Sequence, residues 1–325
     1  MHNKETTPLP YNIDIDSHEF TLVTEDVIKY TLILQHIGNK FNISTEIEES
    51  ISKLILTVKP KNNKYVNLVF NHKVNHLHGT LFTMKIYKHY IKLGYKTKAL
   101  YYASIKFHGL VQYKRNVLEF SYMCMARRDA HMWVLHKLNN IDIDVLHNRI
   151  DVSVDYTSID YSSIDIITNK GIYREWDSVE IRELSRYSRK RQIVDEGHVV
   201  DSVSNTTQMV LNIYDKGKKG GYEYSIIRVE YKLYNKAMHK VLMEKRVGMD
   251  VLTGLIEKNR VLVIGDRDRV MSEYMRRIGI NSKKSGKYRK KYLPELLAKY
   301  SLDVPIGRVC NAVLSVLVNI DIGDD

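Results

Sequence analysis

Two runs near the middle of the chain, "RIDVSVDY" (149–156) and "IIRVEYKLY" (226–234), alternate apolar and ionisable residues. Successive side chains of a strand point to opposite faces. Asp151, Ser153 and Asp155 therefore share one face of the first run, opposite Ile150, Val152, Val154 and Tyr156. Arg228, Glu230 and Lys232 share one face of the second, opposite Ile227, Val229, Tyr231 and Leu233. If these strands are neighbours with aligned polar faces, Asp151, Asp155 and Glu230 converge. Three carboxylates in one place repel and call for a cation. Oxygen ligands suit Mg²⁺ or Mn²⁺, ions that polarise a phosphodiester. The solvated face of an antiparallel sheet also carries mixed charge, so the pattern leaves both origins open.

A third run, "LNIYDKGKKGG" (211–221), puts Tyr214 on one strand face with Asn212 and Lys216. A tyrosine hydroxyl can attack phosphorus and form a phosphotyrosine, provided its proton leaves and the developing charge is stabilised. Lys216, two residues on, could supply that stabilisation. The chain has 23 tyrosines, so an ordinary half-buried strand tyrosine gives the same pattern. Tyr187, Tyr222 and Tyr224 compete for the nucleophilic role.

The order of "IDVSVDY", "LNIYDKGKK" and "IIRVEYKLYNK" resembles the core of rolling-circle replication initiators. It is similar to the plasmid replication-initiation-factor type and to the filamentous-phage gene II replication proteins. The resemblance covers roughly residues 141–240. It implies an enzyme that nicks one strand at an origin through a tyrosine and stays joined to the 5′ phosphate. Carried over residue by residue, it implies acidic metal positions at Asp151, Asp155 and Glu230, with Tyr214, Lys216 and Arg228 as catalytic motif positions. The chain departs from the pattern ahead of the tyrosine strand: "SVSNTTQ" stands where a "GxRxS"-like segment is common.

A rival arrangement lies upstream. In "NHKVNHLHGTLF", His76 and His78 flank one apolar residue, and on a strand they would point to one side and chelate a divalent ion. This resembles the paired-histidine motif of another group of tyrosine nicking enzymes, with Tyr95, Tyr101 or Tyr102 as partners. Exposed strand or loop histidines are the ordinary alternative in a chain with 13 of them.

Lys and Arg number 50 against 38 Asp and Glu, a net charge of +12, which points to a polyanionic partner. The densest basic runs are "SRYSRKRQ", with Arg189, Lys190 and Arg191, and "NSKKSGKYRKKY", with Lys283, Lys284, Lys287, Arg289, Lys290 and Lys291. Such side chains would contact backbone phosphates. Two distant cysteines argue against a disulfide framework or a zinc ribbon. No apolar run reaches the ~18 residues that span a bilayer, and the first residues lack the apolar core of a secretory signal. The expectation is a cytoplasmic protein without a membrane partner.

The elements that must position these residues read as an α+β protein, with an antiparallel β-sheet catalytic core, flanking helices and a helical C-terminal portion. Expected boundaries are a flexible arm at 1–20, a catalytic domain at 21–240 and a helical region at 241–325. "EDVIKYTLILQHIGNKF" and "RDAHMWVLHKLNN" read as helices, whereas "SKLILTVKP", "KYVNLVF", "HGTLFTMKIY", "ALYYASIKFHGLVQY" and "NVLEFSYMCMA" read as strands. The stretch from 236 to 279, "KYLPELLAKYS" and "IGRVCNAVLSVLVNI" read as helical.

The expected function is a metal-dependent nicking-joining enzyme that starts plasmid or phage replication on single-stranded or extruded origin DNA. Its freed 3′ hydroxyl would prime a polymerase; a host helicase and a second copy of the chain are further expected partners. A non-catalytic origin-binding protein or transcription regulator is the alternative, needing neither metal nor covalent attachment.

Overall fold

In the computed structural model, the described residues are 11–56, 65–74, 77–93, 95–108, 117–141, 143–157, 165–168, 172–173, 178–184, 193–195, 207–220, 226–234, 245–259, 261–264, 294 and 304–318. The chain divides into two compact units, one of residues 15–151 with 313–325 and one of residues 1–14 with 152–312.

The 15–151 unit contains most of β1 (Tyr11–Thr24), then α1 (Val27–Phe41), α2 (Ser44–Leu56), β2 (Tyr65–Val74), β3 (Leu77–Leu93), β4 (Lys96–Phe107), α3 (Val117–Asn139) and the start of β5 (Asp144–Tyr156). Its strand order is β2-β3-β4-β1-β5. The pairs β2–β3, β3–β4 and β4–β1 are antiparallel. The inner face carries Phe20, Leu22, Phe70, Phe82, Met84, Ile86, Ala103, Ile105 and Phe107, all buried. The helices pack there: Phe41 of α1 meets Phe70, Phe82 and Trp133, and His131 of α3 meets Phe107.

Residues 11–20, expected in a loose arm, form the first part of β1, where His18 and Phe20 are buried. Two stretches expected as strands are helices. "SKLIL" belongs to α2, because Ile47, Ser50, Ile51 and Leu54 are buried at helical spacing. "NVLEFSYMCMA" mostly enters α3, whose buried Arg127, Ala130, His131, Val134, Leu135 and Leu138 follow the same period. Its aromatic and β-branched residues favour strands locally, but the tertiary face overrides that preference.

Asp26 caps α1, its Oδ1 accepting from the backbone N–H groups of Ile28 and Lys29 at 2.8 and 3.1 Å. At the other end Asn42 takes the left-handed conformation with φ 58°, a cap position that asparagine tolerates. Asp26→Ala is expected to cost about 1 kcal/mol, seen as a small fall in melting temperature with the fold retained. No change would mean that the carboxylate contributes nothing there.

The 152–312 unit contains the end of β5, then β6 (Asp165–Thr168), β7 (Ile172–Tyr173), β8 (Ser178–Leu184), β9 (Ile193–Asp195), β10 (Thr207–Asp215), α4 (Lys216–Gly220), β11 (Ile227–Tyr234), α5 (Lys245–Lys258), β12 (Val261–Ile264) and most of α6 (Ile306–Val318). The strand order is β5-β11-β10-β8-β9, with β12-β6-β7 as a separate three-stranded sheet. β12 lies inside a stretch expected as helix; "VLVI" pairs with β6 instead. The antiparallel sheets and flanking helices bear out the α+β expectation.

Candidate active site

The site is built on the polar face of β5, β10 and β11. Ile150, Val152, Val154 and Tyr156 are buried, as are Ile227, Val229, Tyr231 and Leu233, and the polar-face residues Asp151, Ser153, Asp155, Arg228 and Glu230 are buried too, so both faces of these strands are covered. β10 and β11 pair antiparallel with Tyr214 opposite Arg228 and Asn212 opposite Glu230. Directly opposed residues share a sheet face, which puts the tyrosine beside the guanidinium.

Asp155 organises the centre. Its Oδ1 accepts from Arg228 Nε at 2.7 Å, and its Oδ2 accepts from Arg228 Nη2 at 2.9 Å and Lys216 Nζ at 2.7 Å. The side chains are 7, 7 and 11% exposed for Asp155, Arg228 and Lys216. Ion pairs this desolvated hold their geometry. Burial alone would raise the Asp155 pKa, but the hydrogen bond and charge of Arg228, joined by those of Lys216, outweigh it and hold the carboxyl below its usual value.

Lys216 reaches the carboxylate because β10 ends one residue earlier. Asp215 Oδ1 accepts from the backbone N–H of Lys218 at 3.0 Å, and the short α4 begins at Lys216. The Lys216 N–H donates to Ile226 O at 2.7 Å, tying α4 to the start of β11. Lys219 of α4 stands with its Nζ 4.4 Å from the centroid of the Tyr214 ring. Sequence reasoning missed this contact, since it depends on α4 turning back over β10.

Tyr214 is half-buried, whereas Tyr156 and Tyr231 are fully buried. Burial pushes the Tyr231 phenol well up. A nucleophile must reach a bulky phosphodiester, so Tyr214 suits the role and those two do not. Tyr187, Tyr222 and Tyr224 lie outside the described residues.

The expected carboxylate set is paired rather than pooled. Asp151 accepts from Arg149 through both oxygens. Glu230 accepts from Asn212 Nδ2 at 3.3 Å and lies 3.3 Å from Lys232 Nζ. Asp151 belongs to the 15–151 unit, and Asp155 and Glu230 to the other. Among the described residues no three His, Cys, Asp or Glu side chains form a group that could hold a metal ion. In these pairings Asp151, Asp155 and Glu230 do not fit a shared Mg²⁺ or Mn²⁺ site, because each carboxylate has a protein cation beside it. An "RxD" spacing on a strand, as in Arg149–Asp151, was the available signal for one of these pairs.

Of the rival arrangement, His76 lies outside the described residues, and His78 holds a backbone position opposite Lys73. Tyr101 is buried against Tyr30, Tyr95 is fully exposed at the β3–β4 turn, and Tyr102 stacks on Tyr87. Arg189, Lys190, Arg191, Lys283, Lys284, Lys287, Arg289, Lys290 and Lys291 all lie outside the described residues.

The 15–151 unit holds a histidine cluster that the sequence did not disclose. His18 Nδ1 lies 2.7 Å from His131 Nε2, and His18 Nε2 lies 3.0 Å from His147 Nδ1. All three rings are buried. Burial pushes the His131 pKa down to about 3 and the His147 pKa down to about 4. His18 is also held well below the usual histidine value, by burial first and then by its two neighbours.

The sequence matches no protein-family model, and no curated protein matches it. Among solved structures the chain is similar to a rolling circle replication initiator protein from Geobacillus stearothermophilus. The two share 11% sequence identity with a TM-score of 0.32, over 90% of this chain and 99% of that one. No helix among the described residues is long and apolar enough to cross a membrane.

Proposed function

We propose that this chain is a DNA nicking-joining enzyme that initiates rolling-circle replication of a plasmid or phage, with Tyr214 as the nucleophile. The observation that carries the reading is the arrangement of Tyr214 directly across from Arg228, while Asp155 clamps Arg228 and Lys216 together. Two buried cations beside a reachable phenol suit a reaction whose negative charge grows on phosphoryl oxygens.

In the reaction, the Tyr214 oxygen bonds to phosphorus and the bond from phosphorus to the 3′ oxygen breaks. The phenolic proton departs, and the leaving 3′ oxygen takes one up. The products are a 5′-phosphotyrosine and a free 3′ hydroxyl, and reversal with a new 3′ hydroxyl joins strands. Arg228 and Lys216 neutralise the pentacovalent state. Lys219 stabilises the phenolate by its charge close to the ring. The protein's own cations supply the charge, since each carboxylate is already paired with one of them. Single-stranded or extruded origin DNA is the substrate, and a polymerase would extend the freed end.

Labelled single strands from the element's candidate origin, incubated with and without Mn²⁺ and run on a denaturing gel, test the reading. A covalent adduct is expected with the parent chain and none with Tyr214→Phe. An adduct formed in EDTA supports the side-chain cations acting alone, and one formed only with Mn²⁺ adds a divalent ion to the reaction. Salt-sensitive binding with no adduct under either condition would replace the enzyme by a non-catalytic origin-binding protein. An adduct that persists in Tyr214→Phe would move the nucleophile elsewhere.

A further inference from the structure

The helices of the 15–151 unit pack on the face of the sheet that bears Phe70, Phe82 and Phe107. Strand alternation leaves the opposite face of β2–β4 with Val69, Lys85, Tyr87, His89, Tyr102 and Lys106. This face is open: Val69 is 50% exposed, and Lys85 and His89 are exposed. Tyr87 and Tyr102 are register partners, with ring centroids 4.9 Å apart and planes parallel within 1°.

We infer that this face is a platform for single-stranded DNA, whose bases stack on Tyr87 and Tyr102 while Lys85 meets its phosphates. Aromatic rings on an exposed sheet, interleaved with lysines, recognise unpaired bases by their π-faces and carry little sequence preference. A duplex hides those faces in its own stack. Two acidic groups shape the path. Glu19 lies 3.9 Å from Lys106, and Glu25 pairs with Lys98. Both lie at the β1 side, so the strand runs over the β2–β3 side, past Lys85 and His89. The choice of DNA over RNA rests on the nicking reading above; the platform itself rests on the sheet.

The test is fluorescence anisotropy with a labelled oligo-dT, using the full chain carrying Tyr214→Phe so that covalent attachment contributes nothing. Tyr87→Ala with Tyr102→Ala is expected to weaken binding by roughly tenfold or more, while Tyr87→Phe with Tyr102→Phe binds as the parent does. Lys85→Ala, an exposed change that leaves the core intact, is expected to reduce the slope of log affinity against log salt by about 0.7. Should the double alanine variant lose its circular dichroism spectrum, Lys85→Ala decides. Undiminished binding in a folded double variant, or an unchanged salt slope, overturns the platform. Equal affinity for duplex does so as well, and tighter binding of oligo-U overturns the choice of DNA. Adduct formation, read separately with Tyr214 present, tells failure of the platform from failure of the nicking reading.

Discussion

Asp155→Asn is expected to lower the stability of the 152–312 unit by about 3–5 kcal/mol, the usual cost of removing one partner from a buried ion pair. The reason is geometric. Arg228 and Lys216 both donate to this carboxylate, and their side chains are only 7 and 11% exposed. Once the charge is gone, two cations remain in a poorly solvated place and repel each other. Asp151→Asn offers the contrast, since its partner Arg149 is 26% exposed and can turn toward water. That change is expected to cost less than Asp155→Asn, because it strands one part-exposed cation rather than two buried ones. Urea unfolding of the two variants, followed by circular dichroism, measures the difference. Equal losses would mean that the two-cation clamp around Asp155 is no stronger than the single Arg149–Asp151 pair. Covalent adduct formation should fall with Asp155→Asn even below the unfolding midpoint, because the cations beside Tyr214 lose their common anchor.

Acid is expected to unfold the 15–151 unit well before its carboxylates protonate. An unfolded histidine takes up a proton near pH 6.5, whereas His131 and His147 resist until about 3 and about 4. As pH falls below 6.5 the unfolded chain binds protons that the folded one excludes, so stability drops. Above 6.5 both states are neutral at these rings and nothing is lost. Each such group costs about 1.4 kcal/mol per pH unit within that window. With three rings in contact, the loss between pH 6.5 and 4.5 amounts to several kcal/mol. Arg127 adds to the effect: it is buried on α3 and its charge opposes protonation of His131. Its guanidinium also donates to the carbonyls of Ile15, Asp16 and His108, so it is fixed in place. Melting temperatures measured from pH 8 to 4.5 should fall steeply below 6.5, while the imidazole proton resonances of the three histidines stay constant in the folded form. An ordinary titration of those resonances near pH 6.5 would sink the prediction. The Asp155 contribution has the same sign but a lower window. Its folded pKa is depressed, so its stabilisation is complete above the usual carboxylate range and is lost only in stronger acid.

Much of the candidate site could be read along single strands, because alternation is a local property of the extended backbone. Ile150, Val152, Val154 and Tyr156 are buried where the pattern put them, and Arg228 and Glu230 lie on the opposite face of β11 from its apolar core residues. The "LNIYD" and "IIRVEY" runs do pair as neighbours, with Tyr214 against Arg228. Helix against strand was decided less well. "NVLEFSYMCMA" holds residues of strand preference, and only the buried face of α3 makes it a helix.

By itself, then, the sequence determined which residues face a core and which can do chemistry, since both follow from residue type and period. Tertiary structure alone decided the partners. Asp155 meets Lys216 across 61 residues and Arg228 across 73, and His18 meets His131 across 113. Charge on a strand face does not state whether its neighbour will be a like charge or an opposite one. Here strand order and the turn of α4 brought cations to Asp155, and the placing of β5 beside β1, with His131 of α3 against His18, brought three uncharged imidazoles together.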